Sequence, residues 1–565
     1  MSASAGQSPD GFDLVVVGGG AAGLAAAASA SAAGASVVVL EVAEELGGTT
    51  AKSSGGYWIP NNFLLREKGK EDPKADALRH MAVLAFPGRF DPEDEWLGLE
   101  RRDFDLIDRY YEAAPRAIDT MRERGDLQSM EMAPFKPELE GLGPWHVTDW
   151  DRRPYGRILA PQRLIEPDAA SSNPSAAAMR RQGGKQGDGA ELVRQLAEAA
   201  RARGTEIRLR HRVVDVLKAD DAVVGVIAEG PDGTVEIGGR HGVVFATGGF
   251  SHNDELAAEY LRGPIVGSAA VMTNQGTFVE IARELGAELG NMAEAWWGEL
   301  ALEPLLDDPC PDDFIGFQFG DSALMVNRLG RRVVNEKLMY NERTKVHFDV
   351  DENGELPNRL LFMIYDSAVA ESTLEWPSRM PVPYPGEPTD HVIVGETLED
   401  LAIQLDRRLE ALGEDADGVR IDADFAAELG RTVERFNGFA ASGVDEDFGR
   451  GKSISDINFN PPARAGNDAN PTMFPLSAEG PYYAIIIGAG TMDTKGGPRI
   501  DPDGRVLRPG GEPIAGLFGA GNCISSPTGE AYWGGGSTLG PALTFGLIAG
   551  ATAVGAAAVG APDGP

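Results

Sequence analysis

The sequence predicts an α/β fold in which a parallel-sheet domain is interrupted by an inserted α+β domain. Two observations predict it. Near the N-terminus an apolar run, a Gly-rich loop, an Ala-rich segment and a second apolar run follow one another, which is the order of a strand–helix–strand unit. Pairs of an apolar run and a Gly-rich loop return at 242–249 and 516–522, and the segment between them changes to a mixed strand and helix pattern.

The N-terminal unit can be assigned element by element. The run Asp13–Val17 is apolar after its first residue, as expected of a strand buried on both faces of a parallel sheet. The loop Gly18-Gly-Gly-Ala-Ala-Gly23 follows, and the next helix extends from about Leu24 to Ala33 before Gly34 ends it. Ser36–Leu40 is the second strand, and Glu41 stands at its end.

The same patterns divide the chain into three segments. We predict a first part of the parallel-sheet domain at 10–272, an inserted substrate (cap) domain at 273–476, and a return segment of the first domain at 477–556. The first part should also contain an amphipathic helix at 189–203 and two more strands at 207–216 and 222–228. A long irregular loop rich in Pro, Trp and Arg is expected at 132–182.

Charge and composition exclude several kinds of partner. The 565 residues carry a net charge of −36, so nucleic-acid phosphates and anionic membrane surfaces would be repelled. Two cysteines, and seven histidines without a metal-ligand spacing, predict no disulfide framework and no metal site. The N-terminus has no signal-type apolar segment and no apolar run reaches about 18 residues, so we predict a cytoplasmic protein without stable membrane insertion.

The loop of the first unit is suited to binding a dinucleotide. Gly18 makes the tight turn, Gly20 lets backbone N–H groups approach a pyrophosphate, and Gly23 allows the helix to pack closely on the strand. The start of the helix, with Ala22 among the loop residues in contact, favours negative charge. Glu41 lies eighteen residues beyond Gly23, where a carboxylate can bind both ribose hydroxyls. These features predict a Rossmann-like domain.

Three features favour FAD over NAD. The unit lies at the extreme N-terminus, and a polar loop of small residues that could wrap a flavin follows it at 47–56. Two later segments, Ala246–Gly249 and Gly519–Asn522, predict further backbone approaches to the same cofactor, through Thr247, Gly248, Gly521 and Asn522. We therefore expect a Rossmann-like FAD-binding domain.

Four motifs resemble those of the fumarate reductase/succinate dehydrogenase flavoprotein superfamily and, within it, of the Δ1-type 3-ketosteroid dehydrogenases. They are SGGYWIPNN at 54–62, ATGGF at 246–250, VVNEKLMY at 333–340 and YWGGGSTLGPALTFG at 532–546. The resemblance implies that the backbone of Val214 meets the adenine. It implies non-covalent FAD, because no histidine occupies the loop where some members attach the flavin. It also places near the flavin the residues Thr49, Thr50, Ser54, Gly55, Gly56, Asn522, Ser537 and Leu539.

The chemistry that the resemblance implies is desaturation of a carbon–carbon bond beside a ketone. This reaction requires a polarised carbonyl, a base for the α-proton and a hydride acceptor, which the flavin provides. By the resemblance Tyr340 is the base, and Tyr532 together with the N–H of Gly536 holds the ketone oxygen. The implied partners are a ketosteroid or another cyclic ketone and an electron acceptor that the sequence does not identify.

The chain departs from the resembled pattern at two positions. Glu530 stands where the family often has His, and the tyrosine that supports the base has no clear match, although Trp150 and Tyr155 lie in that region. These departures bear on the substrate more than on the reaction type. Three tryptophans could form a flat wall for a ring-shaped substrate or could belong to the core, namely Trp296, Trp297 and Trp533.

Other functions match part of the pattern. A Δ4 desaturation of a steroid, or desaturation of a smaller alicyclic ketone, would use the same residues. Fumarate-reductase-like reduction of an activated double bond would need Arg and His residues that clamp carboxylates, and the loop 529–540 contains neither. A non-catalytic electron-transfer subunit would need an iron–sulfur or haem partner motif, and the sequence has no Cys cluster and no CxxCH.

Overall fold

Strands and helices alternate through the residues that the computed structural model describes, which are 10–132, 156–164, 185–312, 314–374, 379–458 and 460–556. The strands are β1 (Asp10–Phe12), β2 (Leu14–Val17), β3 (Val37–Leu40), β4 (Tyr57–Trp58), β5 (Ser129–Glu131), β6 (Ile158–Pro161), β7 (Glu206–Arg208), β8 (Arg212–Ala219), β9 (Ala222–Gly230), β10 (Gly233–Gly239), β11 (Val243–Phe245), β12 (Gly267–Ser268), β13 (Leu289–Gly290), β14 (Ala295–Ala301), β15 (Ala323–Val326), β16 (Leu360–Asp366), β17 (Ile393–Gly395), β18 (Tyr482–Thr494), β19 (Gly497–Pro498), β20 (Arg505–Leu507) and β21 (Pro513–Gly519). The helices are α1 (Ala21–Ala32), α2 (Gly48–Lys52), α3 (Phe63–Glu67), α4 (Lys74–Ala85), α5 (Arg101–Arg124), α6 (Gly189–Ala202), α7 (Asp254–Tyr260), α8 (Thr277–Glu284), α9 (Leu302–Asp307), α10 (Tyr340–Thr344), α11 (Ser367–Ala370), α12 (Leu398–Leu412), α13 (Phe425–Ser442), α14 (Ile454–Asn458) and α15 (Leu539–Ala553).

A six-stranded sheet in the order β20-β21-β11-β2-β3-β7 forms the centre of the first part of the fold. Its strands are parallel except for β20 at one edge. All residues of β2 and β3 are buried, which explains why their sequences are continuous apolar runs. The predicted α/β fold and its strand–helix–strand unit are confirmed, although α1 begins at Ala21 and not at about Leu24.

Helix α1 packs against the C-terminal helix α15 at very short range. A Cβ atom on Gly546 or Gly550 would lie 2.3 or 2.2 Å from the carbonyl oxygen of Ala22 or Ala26. Such close packing requires small residues on the facing surfaces, and both helices are rich in Ala and Gly. The contact fixes the Gly-rich loop at the start of α1 relative to the C-terminal segment.

A smaller sheet in the order β1-β10-β9-β8 lies beside the central one. The single strand predicted at 207–216 is divided into β7 and β8, because the chain turns at Arg210, whose φ is +58°. Strand β7 joins the central sheet, whereas β8 pairs with β9. The start of β8 therefore lies next to the end of β3, beside Glu41.

The second main sheet has the order β12-β18-β16-β15, with β14 and β17 also paired to β18. Helices α12 and α13 bury their apolar faces on it through a core that includes Leu405, Phe436, Phe362 and Ile486. This sheet and its helices form the α+β unit that the sequence predicts as an insertion.

Both predicted boundaries of that insertion stay predictions, and pairing and packing connect the segments on either side of them. The predicted return segment begins at 477, but β18 hydrogen-bonds along its length with β16 and β14 and belongs to the second sheet. At the other boundary, α8 packs on the central sheet, where Phe278 stacks on Phe245 with ring centroids 4.3 Å apart, and β13 pairs with β19. Helix α8 therefore packs on the first sheet, whereas β13 and β19 form a separate two-stranded sheet. The division into two domains itself stays a prediction.

A three-stranded sheet in the order β4-β6-β5 lies near α4 and α5 and contains part of the stretch predicted as irregular loop. Strand β6 is fully buried, and next to it Arg157 forms a buried ion pair with Asp72 at 2.7 Å. Residues 133–155 and 165–184 of that stretch lie outside the described residues.

No helix among the described residues is both long and apolar enough to cross a membrane. Helix α15 is apolar on all sides, but it has 15 residues and is buried against α1. The cytoplasmic location stays a prediction.

Candidate active site

One large cavity extends from the Gly-rich loop after β2, past the ends of the central strands, to the second sheet. We call it the cofactor cavity. Thirteen of the predicted cofactor residues line it, namely Gly18, Gly20, Ala22, Glu41, Thr49, Thr50, Ser54, Gly56, Thr247, Gly248, Gly521, Asn522 and Leu539. Tyr340, Tyr532 and Gly536, predicted for the chemistry, line it as well. Their individual roles stay predictions.

The Gly-rich loop has the geometry of a pyrophosphate cradle. Gly18 has a φ of +105°, and Gly20 caps α1 without a side-chain hydrogen bond. The N–H of Ala21 donates to the Oγ1 of Thr50 at 3.2 Å, and the following N–H groups of the first turn point towards the helix start, where an anion is favoured. Glu41 is buried at the end of β3, and its Oε2 accepts a hydrogen bond from the N–H of Gly19 at 2.7 Å. Its carboxylate also lines the cavity and retains acceptor capacity for ribose hydroxyls.

Four predicted cofactor residues do not line the cavity. Gly23 lies behind the loop, where a Cβ atom would come within 1.9 Å of the carbonyl oxygen of Gly18, so its place is in the helix–strand packing. A Cβ atom on Gly55 would lie 2.4 Å from the carbonyl carbon of Asp188, and the Oγ of Ser537 donates to the carbonyl oxygen of Gly534 at 2.7 Å. Both Gly55 and Ser537 shape the wall from behind.

Val214 is the fourth, and its predicted backbone contact with the adenine stays a prediction. Its side chain is 42% exposed, whereas Arg212 and Val213 line the cavity. The pairing of β8 with β9 is irregular between Val213 and Asp215, so side chains from Asp215 onwards change face relative to a regular strand. The irregularity has no signature in the local sequence.

Asp493, which no sequence pattern had identified, lines the cavity near the end of β18. Its Oδ2 accepts hydrogen bonds from the Nδ2 atoms of Asn274 and Asn522 at 2.8 and 2.9 Å, and from the N–H of Gly249 at 2.9 Å. Burial is the largest influence and raises the pKa of Asp493, and these hydrogen bonds act against it. A lone acid in an apolar strand, followed by Thr-Lys-Gly-Gly, is the signal that could have identified it.

The two predicted catalytic tyrosines meet at the cavity wall. Tyr340 is the first residue of α10, Tyr532 lies in the loop before α15, and their ring centroids are 5.3 Å apart. Their phenols are hydrogen-bonded, and the N–H of Gly536 donates to the Oη of Tyr532 at 3.2 Å. Burial raises the pKa of Tyr532, and hydrogen bonds to Tyr340, Gly536 and Thr538 act to lower it. A ligand oxygen placed between Tyr532 and Gly536 could receive both donors by displacing the hydrogen bond that now joins them.

Aromatic side chains surround these phenols, but only one of the three predicted tryptophans is among them. Trp296 lines the cavity, and its ring contacts Tyr532 edge to face at 5.6 Å. Trp297 points to the other face of β14 and packs on Phe348, and Trp533 is buried against Trp58. The wall beside Tyr340 consists instead of two phenylalanines, Phe314 and Phe317.

A buried ion pair holds α10 in place. The Nε of Arg343 lies 2.6 Å from the Oε2 of Glu299, and its Nη2 donates to the carbonyl oxygen of Ile315 at 2.7 Å. Burial acts to raise the pKa of Glu299, but Arg343 and His347 outweigh it and lower that pKa. Arg343 thus connects the helix of Tyr340 to the strand that carries Trp296.

The two departures from the resembled motifs differ in outcome. Glu530 pairs with Arg262 at 2.7 Å at the edge of the loop and does not line the cavity. Trp150 and Tyr155, the possible matches for a supporting tyrosine, lie outside the described residues. Within the described ranges no cluster of three or more metal-ligating side chains was found.

The cavity fits FAD in its donors and its acceptors. The start of α1 suits the pyrophosphate and Glu41 suits the ribose, and Thr247, Gly248, Gly521 and Asn522 also line the cavity. Non-covalent attachment stays a prediction.

Comparison with known proteins agrees with this assignment. A family model described as an FAD binding domain matches residues 13–539. The chain is 32% identical to the 3-oxosteroid 1-dehydrogenase of Mycolicibacterium smegmatis, over 88% of this chain and 89% of that protein. It is 33% identical to the 4-oxocyclohexanecarboxylate 2-dehydrogenase of Sinomonas cyclohexanicum, over 91% and 87% of the two chains.

A solved structure is similar along its whole length. It is the 3-ketosteroid Δ1-dehydrogenase of Sterolibacterium denitrificans in complex with 1,4-androstadiene-3,17-dione, with a TM-score of 0.76, 25% identity, and coverage of 97% of this chain and 100% of that one. The chain therefore belongs to the family of FAD-binding flavoprotein oxidoreductases that contains the 3-oxosteroid 1-dehydrogenases, and FAD is its cofactor.

Proposed function

We propose that this protein introduces a carbon–carbon double bond beside the ketone of a 3-ketosteroid, most specifically the Δ1 bond. The observation that carries the proposal is the convergence of Tyr340, Tyr532 and the N–H of Gly536 on one wall of the FAD cavity. Relatives named for 3-oxosteroid 1-dehydrogenation support the steroid as substrate.

The chain's own residues would act on the ketone first. The phenol of Tyr532 and the N–H of Gly536 would donate to the carbonyl oxygen, which stabilises the enolate that forms when the α-proton leaves. Both donors belong to a largely buried segment, and the ketone oxygen would replace the hydrogen bond that now joins Gly536 to Tyr532. The rings of Phe314 and Trp296 would exclude water from the reacting carbons.

Tyr340 would accept the α-proton. A phenol has a pKa of about 10 in water, so it can act as a base only against an acidified proton or when its phenolate is stabilised. The hydrogen bond between Tyr340 and Tyr532 couples the base to the group that acidifies the substrate. FAD, when bound, supplies the acceptor for the hydride from the adjacent carbon.

A second candidate substrate is a smaller alicyclic ketone. The relative named 4-oxocyclohexanecarboxylate 2-dehydrogenase is as similar to this chain as the steroid enzymes are, and its named substrate is also a cyclic ketone. The same three residues would perform the chemistry on a single ring.

Anaerobic reduction of the bound FAD tests the proposal and separates the two substrates. We expect 4-androstene-3,17-dione to bleach the flavin absorbance rapidly, and 4-oxocyclohexanecarboxylate to do so slowly. Tyr340→Phe should abolish bleaching, whereas Tyr365→Phe, which alters a buried tyrosine outside the cavity wall, should not. Bleaching that survives in Tyr340→Phe would overturn the assignment of the base, and no bleaching by any ketone would overturn the function.

A further inference from the structure

Two lysines hold the peptide directly before Tyr532. The Nζ of Lys345 donates to the carbonyl oxygen of Glu530 at 2.9 Å, and the Nζ of Lys495 donates to that of Ala531 at 2.7 Å. Hydrogen bonds from a charged donor are stronger than neutral ones, so these two contacts restrain the backbone from which the Tyr532 side chain projects.

Lys495 also contacts the other support of Tyr532. Its Nζ lies 4.4 Å from the ring centroid of Trp296, within the range of a cation–π interaction. The Nε1 of Trp296 donates to the Oδ1 of Asn522 at 3.0 Å, and its ring meets that of Tyr532 edge to face. A single ammonium group thus fixes both the backbone before Tyr532 and the ring beside it.

The surroundings of Lys495 are charged but poorly solvated. Its side chain is fully buried, and the ionisable groups that act on it are Glu294, Lys345, Glu342 and Glu530, with Arg262 paired to both Glu294 and Glu530. Burial is the largest influence and lowers the pKa of Lys495 to about 7. The ammonium is therefore charged below about pH 7 and becomes neutral as the pH rises above it.

We propose that Lys495 is a positioning residue for the chemistry: it holds Tyr532, through the carbonyl of Ala531 and the ring of Trp296, where the phenol can donate to the substrate ketone. The inference rests on the proposed function. Lys495 itself does not line the cavity, and it acts on the ketone through Tyr532.

The assignment makes a prediction about pH that a packing role would not make. Loss of the charge weakens the contacts to Ala531 and Trp296, so ketone binding should weaken as the pH rises through about 7. Lys495→Arg keeps a cation at all accessible pH values, whereas Lys495→Met keeps the chain length and removes the charge. The two variants should therefore differ from the wild type in their pH profiles.

The experiment uses the FAD-loaded protein, with FAD content measured for each variant. We expect Lys495→Met to lower kcat for 4-androstene-3,17-dione about 100-fold, since a displacement of about 1 Å at a catalytic group can have that effect. It should also weaken binding of 1,4-androstadiene-3,17-dione, followed as a change in flavin absorbance without turnover. The inflection near pH 7 in the wild-type affinity for this ligand should disappear in Lys495→Met and in Lys495→Arg, and Lys495→Arg should retain kcat within about tenfold of the wild type.

Lys337→Met is the matched control. Lys337 is also a buried lysine, and its Nζ donates to the carbonyl oxygens of Gln318 and Gly320 at 2.7 and 2.8 Å, away from the Tyr532 segment. This variant should retain the inflection. A Lys495→Met protein with the wild-type kcat, dienone affinity and pH profile would overturn the inference while leaving the proposed function intact. A wild-type protein that no ketone reduces would overturn both.

Discussion

Replacing Gly18 by Ala tests whether the loop after β2 holds FAD. Gly18 has a φ of +105°, a region that an L side chain rarely adopts. A Cβ atom at this position would lie 2.3 Å from the carbonyl oxygen of Ala246 and 2.8 Å from its carbonyl carbon. The substitution therefore introduces both backbone strain and a clash with the segment that leads into Thr247 and Gly248, on the cavity wall.

The expected loss of FAD affinity in Gly18→Ala follows from these distances. Restoring an ordinary contact of about 3.4 Å requires the loop and the Ala246 carbonyl to separate by about 1.1 Å, since the Cβ would otherwise lie at 2.3 Å. The left-handed backbone conformation costs about 1–2 kcal/mol for a residue with a Cβ. Hydrogen bonds from the loop to a pyrophosphate lose much of their strength when displaced by about 1 Å. We expect the Kd for FAD to rise about 100-fold, which corresponds to about 2.8 kcal/mol.

Gly34→Ala is the matched control because it has the same backbone requirement without the clash. Gly34 ends α1 with a φ of +89°, and a Cβ atom there would meet nothing within 4 Å. Both variants should lose about 1–2 kcal/mol of unfolding free energy from backbone strain alone. Only Gly18→Ala should lose FAD affinity.

Titration of FAD into the apoproteins, followed by quenching of flavin fluorescence, measures the affinities, and urea unfolding measures the stabilities. Equal FAD affinities for Gly18→Ala and Gly34→Ala would refute the reasoning, because the clash with Ala246 would then have no consequence at the cavity.

Three further substitutions give distinct outcomes. Tyr532→Phe removes one of the two ketone donors and should lower kcat/KM with 4-androstene-3,17-dione by about 100- to 1000-fold at unchanged FAD content; a loss of less than tenfold would contradict its role. Asp493→Asn places an amide donor among the donors of Asn522 and Gly249, so the Kd for FAD should rise about tenfold in the same fluorescence titration, and an unchanged Kd would contradict the contact. Burial acts to raise the pKa of Glu336, but Arg332 and Arg450 outweigh it and lower that pKa from 4.5 to about 2. The carboxylate therefore contributes about 3 kcal/mol to the free energy of unfolding above pH 4.5, and this contribution is lost as the pH falls towards 2. Glu336→Gln should therefore be less stable at pH 7 and show a flatter loss between pH 4.5 and 2 in urea unfolding, whereas an acid limb as steep as that of the wild type would contradict the assignment.

The sequence predicts the first strand–helix–strand unit well because its signals are local. The apolar runs of β2 and β3 are buried on both faces, and the glycines between them serve packing and anion binding within a few residues of each other. Glu41 then follows from the end of β3, without knowledge of any distant segment. The pairing of Tyr340 with Tyr532 could be expected only through the resemblance, because 192 residues separate them and no local pattern relates the two.

Features that the sequence could not predict depend on pairing between distant segments. The backbone contact of Val214 with the adenine was implied by the resemblance and stays a prediction, and Arg212 and Val213 line the cavity beside it. Strand β18 has an apolar pattern that suits either sheet, so its membership is decided by its partners β14 and β16 and not by its own residues. The choice between wall and core for Trp296 and Trp297 also depends on the sheet, because adjacent residues of β14 point to opposite faces and Trp297 cannot share the face of Trp296.

The placement of β18 in the second sheet also explains how one strand serves both halves of the site. Residues two apart in an extended chain point to the same side, so Asp493 and Lys495 project together towards the C-terminal loop. Asp493 there binds Asn522, which lines the cofactor cavity, and Lys495 binds Ala531, next to Tyr532, the proposed ketone donor. Trp296, on the neighbouring strand β14, links these two sets of contacts, because it contacts Asn522, Lys495 and Tyr532. The proposed function requires a fixed distance between flavin and ketone, and these contacts at the end of the strand pair β14 and β18 would set it.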